Sequence, residues 1–90
     1  MTGLRDNTAR QQFELDVDGQ LAFVTYRRAG GVVRLLHAEV PAALEGRGHG
    51  SRLVQATLER LRAEGARVVP VCSFIAAYIE RHAEYRDLLA

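Results

Sequence analysis

Leu44-Glu45-Gly46-Arg47-Gly48-His49-Gly50-Ser51-Arg52-Leu53-Val54 is the stretch on which the fold turns. Before it the sequence alternates in the manner of strands. After it the apolar residues Leu53, Val54, Thr57, Leu58 and Leu61 fall at helical spacing, with Arg52, Gln55, Glu59, Arg60 and Arg62 on the other side. The spacing predicts a helix over 51–64, stopped by Gly65. The glycines between strand and helix remove the Cβ atoms that would hold backbone N–H groups away from a bulky anion. The first turn of a helix also leaves N–H groups unpaired at the positive end of its dipole. A phosphate is therefore expected on Gly46, Arg47, Gly48, His49, Gly50 and Ser51, with Arg47 and Arg52 adding charge at the rim. The alternative is that three glycines form only a flexible connection. A dinucleotide fold is disfavoured, because the loop follows a meander and no acidic residue closes a parallel strand about 20 residues on. The Gly-Lys-Ser/Thr ending of a nucleoside-triphosphate loop is absent.

Working outward, Phe13, Leu15 and Val17 alternate with Gln12, Glu14 and Asp16, which predicts a half-buried strand over 12–18. Asp18-Gly19 suits a tight hairpin turn, leading to a returning strand over 21–28. Ala29-Gly30-Gly31 is a second turn, and Val32 to Val40 a third strand ended by Pro41. Downstream, Val68 to Val71 reads as a buried fourth strand. Phe74, Ile75, Tyr78 and Ile79 mark a second helix, and a helical tail follows around 84–88. The expected class is α+β: a mixed, mostly antiparallel sheet of about four strands with two main helices, in the order β-β-β-α-β-α. Residues 1–11 read as a flexible lead-in and 12–90 as a single domain.

Composition narrows the function. A chain of 90 residues has room for one core. Its net charge of +1 argues against nucleic acid as a partner, since no basic stripe would drive counterion release. Apolar runs are too short to span a membrane, and the polar start lacks a signal-peptide core. The single cysteine, Cys72, makes neither an internal disulfide nor a zinc cluster, so no metal site is expected. A cytoplasmic setting with a reduced thiol is expected, and a monomer is favoured over a homodimer.

Leu36-His37-Ala38-Glu39-Val40-Pro41, the glycine stretch, and Pro70-Val71-Cys72-Ser73-Phe74 through His82, with Glu84-Tyr85, follow one another in an order that resembles the small GNAT-type N-acetyltransferases. The similarity covers roughly residues 12–88 and points to members carrying a cysteine near the C-terminus. It implies acetyl-CoA as co-substrate, with the pyrophosphate on the backbone of residues 45–51 and the cofactor in a wedge between the third and fourth of the strands named above. It also implies an oxyanion donor at the backbone N–H near Val40, where such proteins widen the sheet. Two departures are visible. Glu45 stands where Gln or Arg usually begins the signature, and His82-Ala83-Glu84-Tyr85 replaces His-Pro-Glu-Tyr.

Candidate reacting groups follow from position. By strand alternation Val33, Leu35, His37 and Glu39 share one face, which places His37 and Glu39 at the strand end as candidate bases for an incoming amine. Cys72 precedes a helix for which Ser73 is the natural N-cap. A thiol in that position is either a nucleophile favoured as thiolate or an inert small hydrophobe. The resemblance tips it toward catalysis, as a carrier of acetyl from the thioester to an amine. Tyr78 is placed as core or as the acid for the leaving thiolate, though the Asn-x-x-Ala-x-x-x-Tyr register of the family is not reproduced. Phe74 reads as core or as a wall for the pantetheine arm, His49 as solvent-facing, and His82, Glu84 and Tyr85 as fixing the last turn. The expected activity is acetyl transfer from acetyl-CoA to an amine of a small molecule or peptide. The alternative is a catalytically weak CoA-binding or sensing module.

Overall fold

A computed structural model describes residues 3–90. Its strands are β1 (Arg5–Asn7), β2 (Gln12–Val17), β3 (Gln20–Ala29), β4 (Val32–Glu39) and β5 (Arg67–Pro70). The helices are α1 (His49–Glu64) and α2 (Ser73–Arg81), and 3-10 turns occupy Ala42–Leu44 and Ala83–Leu88. The five strands lie in sequence order in one sheet, antiparallel from β1 to β4 and parallel between β4 and β5. Asp18 and Gly19 hold the β2–β3 turn with φ of 51° and 78°, the two positive values such a hairpin needs. Helix α1 begins two residues earlier than its apolar spacing predicts, because His49 and Gly50 carry no apolar signal.

Part of the expected lead-in is a strand. β1 pairs with β2 through Arg5 opposite Glu14 and Asn7 opposite Gln12. Three residues are too few to show alternation, and side-chain bonds hold the strand in place. Glu14 is 3% exposed and accepts from Arg5 Nε at 2.8 Å, Asn7 Nδ2 at 3.0 Å and Gln12 Nε2 at 2.5 Å. These donors, that of Gln12 foremost, pull its carboxyl below the ordinary range against the opposing effect of burial. Met1 and Thr2, the start of the expected lead-in, lie outside the described residues.

The core occupies one face of the sheet. Phe13, Leu15, Ala22, Val24, Tyr26, Val33, Leu35 and Val68 pack there against Leu53, Val54, Leu58 and Leu61 of α1 and Ile75 and Ile79 of α2. Tyr85 and Leu88 close the cluster from the C-terminal turn. The result is two layers, with neither α-helix on the opposite face.

β4 changes face partway along. Arg27 pairs with Arg34 and Tyr26 with Leu35, but Thr25 then pairs with His37, leaving Leu36 as an extra residue. Such a bulge reverses the alternation beyond it. Val33 and Leu35 are buried beneath the helices, and beyond the bulge Ala38 and Val40 pack against that core instead. His37 and Glu39 are therefore on the opposite, helix-free face. The expectation that they share a face with Val33 and Leu35 fails, because a period of two cannot reveal a one-residue insertion.

Candidate active site

The site is a fork in the sheet. Arg67 N–H donates to the Gly31 carbonyl at 2.9 Å and Cys72 N–H to the Leu35 carbonyl at 3.0 Å, so Gly31 and Leu35 turn their backbone toward β5. Beyond Leu35 the strands part: β5 ends at Pro70 while β4 runs on to Glu39. Tyr26 N–H donates to the Gln11 carbonyl at 2.9 Å, on the β2 side, so its neighbour Thr25 faces β4 and the paired His37. By alternation the backbone of Ala38, and of Val40 after it, faces the gap that β5 has left. The bulge at Leu36 turns this backbone edge away from β3, and the β4–β5 pairing stops at Leu35 and Pro70, before Val40.

The N-terminus of α1 lies at the same end. Gly46 and Gly48 have φ of 81° and 77°, a left-handed conformation that disfavours any side chain. Gly48 is the N-cap, with no side-chain cap and no acidic residue in the first turn. The first intrahelical bond is donated by Arg52 N–H to the Gly48 carbonyl at 3.1 Å, so the N–H groups of His49, Gly50 and Ser51 lack intrahelical acceptors. An anion fits this donor set. Gly50 answers a different need: a Cβ there would stand 3.2 Å from Phe74 Cζ and 3.6 Å from Val40 Cγ2. Gly50, in the first turn of α1, thus lies between Phe74 at the start of α2 and Val40 just past the end of β4. With 47% of its surface exposed, Phe74 lies outside the core. His49 is half-buried, and its Nδ1 lies 3.3 Å from Arg52 Nη1, so it has a partner where solvent alone was expected. Arg47 is exposed.

Cys72 sits at the vertex of the fork. Its N–H makes the last β4–β5 bond, it is the N-cap of α2 in place of Ser73, and it packs half-buried against the core. His37 Nε2 lies 3.2 Å from Glu39 Oε1, with side chains 57% and 58% exposed. The structure therefore gathers the loop, Val40 and Cys72 around the fork and sets His37 and Glu39 beside it on the other face. Tyr78 is buried and stacks on His82 with centroids 3.9 Å apart. Burial, and then the charges of Glu84 and Glu59, push its phenol above the usual range. Its other ring contact is Tyr85 at 6.1 Å, in the C-terminal turn. Tyr85 donates to Glu59 Oε2 at 2.5 Å.

Sequence reasoning missed the Leu36 bulge, the Cys72–Leu35 bond and the Phe74–Gly50 contact. One signal was available for the last: a glycine inside a first helical turn has poor helix propensity and calls for a packing reason. Among the described residues no group of three or more His, Cys, Asp or Glu side chains is placed to hold a metal, and no helix is long and apolar enough to cross a membrane.

The family model for GCN5-related N-acetyl-transferases matches residues 12–88. A GCN5-like protein from Staphylococcus aureus, solved by NMR, superimposes with a TM-score of 0.71 at 27% identity, covering 100% of this chain and 91% of that one. No curated protein matches the chain.

Proposed function

The chain belongs to the GCN5-related N-acetyltransferase family, and from that premise we propose that it moves an acetyl group from acetyl-CoA to an amine at the β4–β5 fork. One observation carries the reading: the uncapped start of α1 and the gap between β4 and β5 open at the same end, with Gly50 of α1 beside both Val40 and Phe74. Acetyl-CoA supplies an activated thioester carbonyl. The N–H groups of His49, Gly50 and Ser51 hold its pyrophosphate, with the backbone of Gly46, Arg47 and Gly48 forming the cradle. Phe74 walls the path from that loop to the fork. Ala38 and Val40 present backbone N–H groups at the gap as donors to the oxyanion that develops on the carbonyl.

His37 and Glu39 act as the base. An ammonium loses one proton before its nitrogen attacks; the C–N bond forms, the C–S bond breaks, and a second proton leaves the nitrogen. Glu39 and His37 take these protons from the helix-free face, and the departing thiolate takes one up from water. Cys72 at the vertex offers a second route, in which its thiolate first receives the acetyl group in a thioester exchange and then yields it to the amine. Its place as the last bonded residue of the fork favours that route.

The test combines thermal shift with CoA and acetyl-CoA, thiol release over a panel of amines, and mass spectrometry of the protein after exposure to acetyl-CoA. Stabilisation with turnover supports transfer. Stabilisation without turnover leaves a CoA-binding module, and no response to either ligand removes both. An active enzyme whose Cys72 never carries acetyl removes the relay alone.

A further inference from the structure

Resting on the acetyl-transfer reading, we infer that the fork also takes a donor whose acyl chain is longer than acetyl and ends in a carboxylate, a succinyl or glutaryl thioester, with the chain over Leu36 and Val71 and the carboxylate on Arg34. The way out of the fork sets the direction. A donor entering from the α1 loop leads with its acyl end toward the vertex, where Cys72 N–H bonds the Leu35 carbonyl at 3.0 Å and closes the plane of the sheet. The helix side is filled: Leu35 and Ile75 are fully buried there, and Ala38 and Val40 pack on the same core. A chain longer than acetyl therefore leaves the plane on the helix-free face. Leu36 follows Leu35 and Val71 precedes Cys72, so the same bond brings these two residues to the vertex. Leu36 is half-buried, Val71 is 51% exposed, and neither belongs to the core cluster. Apolar surface left uncovered beside the reacting centre suits methylene groups.

Charge comes next along the same line. Arg34 is exposed on the helix-free face, two residues before Leu36 and so about 7 Å further along β4. The register sets it beside Val69 of β5 and opposite Arg27 of β3. Among the described residues Arg34 has no hydrogen bond or ion pair, and Arg27 donates to the Tyr26 carbonyl at 2.8 Å and to no carboxylate. Like charges directly opposite on neighbouring strands repel. The carboxylates of this face do not relieve them, since Glu14 and Asp16 are held by Arg5, and Glu39 lies against His37. A carboxylate brought by a ligand answers both guanidiniums, and each can meet it with two parallel bonds. From the vertex outward the surface is thus apolar and then cationic, the order of groups in a dicarboxylic half-thioester. The transfer step keeps its balance. A C–N bond forms at the thioester carbonyl, the C–S bond breaks, the thiolate takes a proton from water, the amine gives its protons to the base, and the distal carboxylate is unchanged.

The test is titration calorimetry of the full chain with three unreactive ligands: CoA, S-butyl-CoA and S-carboxypropyl-CoA, the last two differing in a terminal methyl or carboxylate. The carboxylate ligand is expected to bind roughly fivefold or more tightly than S-butyl-CoA, by a margin that shrinks at high salt. Arg34→Gln should bring the two within about a factor of two, and Arg34→Lys should keep part of the margin. The melting temperature of both variants should hold, since the side chain is exposed and unbonded. Equal or weaker binding of the carboxylate ligand overturns the inference, as does an Arg34→Gln protein that keeps the full margin. Thiol release from succinyl-CoA above the uncatalysed rate, with an amine that acetyl-CoA converts, is the expected turnover; tight binding without release makes the carboxylate ligand an inhibitor and overturns its role as donor. Binding of CoA and S-butyl-CoA with no gain from the carboxylate removes this inference and leaves acetyl transfer standing. Failure of all three ligands to bind removes both.

Discussion

Helix α1 closes its two ends in different ways. At its C-terminus Gly65, with φ of 73°, donates to the Arg62 carbonyl at 3.0 Å and Ala66 donates to Leu61 at 3.0 Å, so the last turn is capped. Its N-terminus has no side-chain cap. The polar side chains around the two ends follow suit. Near the C-terminal end Arg28 reaches Glu64 at 3.0 Å and Asp6 at 3.2 Å, and its guanidinium lies 5.1 Å over the Tyr26 ring. Arg62 grips both oxygens of Asp87 at 2.9 Å. Near the N-terminal end His37 and Glu39 meet each other in solvent. One end is closed by bonds, and the other has no side-chain cap, which on the proposed function leaves its donors for the cofactor. Substitutions at the first should therefore lower stability, and substitutions at the second should lower binding or turnover.

The largest expected effect lies in the layer between the two ends. Phe13 is fully buried, with its ring 4.7 Å from Tyr26. Phe13→Ala removes that packing and costs about 3–5 kcal/mol, a large share of the roughly 5–15 kcal/mol that holds a domain of this kind folded. Thermal or urea unfolding checks it. A loss below about 1 kcal/mol would mean that the core can close over the cavity.

Glu39→Gln comes next and reverses the pattern. The side chain is exposed and its bond is to His37 alone among the contacts described, so the melting temperature should hold. Turnover should fall by about 10² or more, near 2.7 kcal/mol in the barrier. Equal losses of stability and turnover would place Glu39 in the scaffold and dissolve the contrast between the ends. Gly48→Ala then mixes the two effects. A side chain at φ of 77° costs about 1–2 kcal/mol, and stabilisation by acetyl-CoA should also shrink as the loop backs away from a phosphate. A variant that loses stability but keeps the ligand shift would make the glycine a turn residue only.

Much of the architecture was legible because it rests on periodicity and turn chemistry. The alternation of Phe13, Leu15 and Val17 and the stripe from Leu53 to Leu61 mark the core faces of β2 and α1, although Gln12 and Glu14 on the other face of β2 are buried as well, and Asp18-Gly19 marks a turn of positive φ. β1 was illegible because side-chain bonds from Arg5 and Asn7 to Glu14 hold it, and such bonds leave no pattern in three residues. In the site, the glycine loop could be read for the same reason that turns can. The facing of His37 and Glu39 could not, since one extra residue at Leu36 reverses every side chain after it. Cys72 was legible as preceding a helix, but its role as N-cap and last rung of the β4–β5 ladder depends on where β5 stops.

The smallest expected effect tests the bonded end alone. Tyr85 is 2% exposed and donates to Glu59 at 2.5 Å, beneath the Arg62 guanidinium at 5.6 Å from its ring. Burial, reinforced by that bond to a carboxylate, pushes its phenol up to about 12 from 10.0. A raised folded value means that the native state holds this proton more tightly than the unfolded chain does. The contribution is then complete below pH 10.0 and is lost as pH rises toward about 12. Tyr85→Phe should cost about 1 kcal/mol near neutrality through the missing hydrogen bond, and the alkaline loss of stability should flatten in the variant. Acetyl-CoA should still stabilise it by the wild-type increment, since the hydroxyl serves α1 far from the glycine loop. A Tyr85→Phe protein that keeps its stability but loses the ligand shift would reverse the assignment of the two ends.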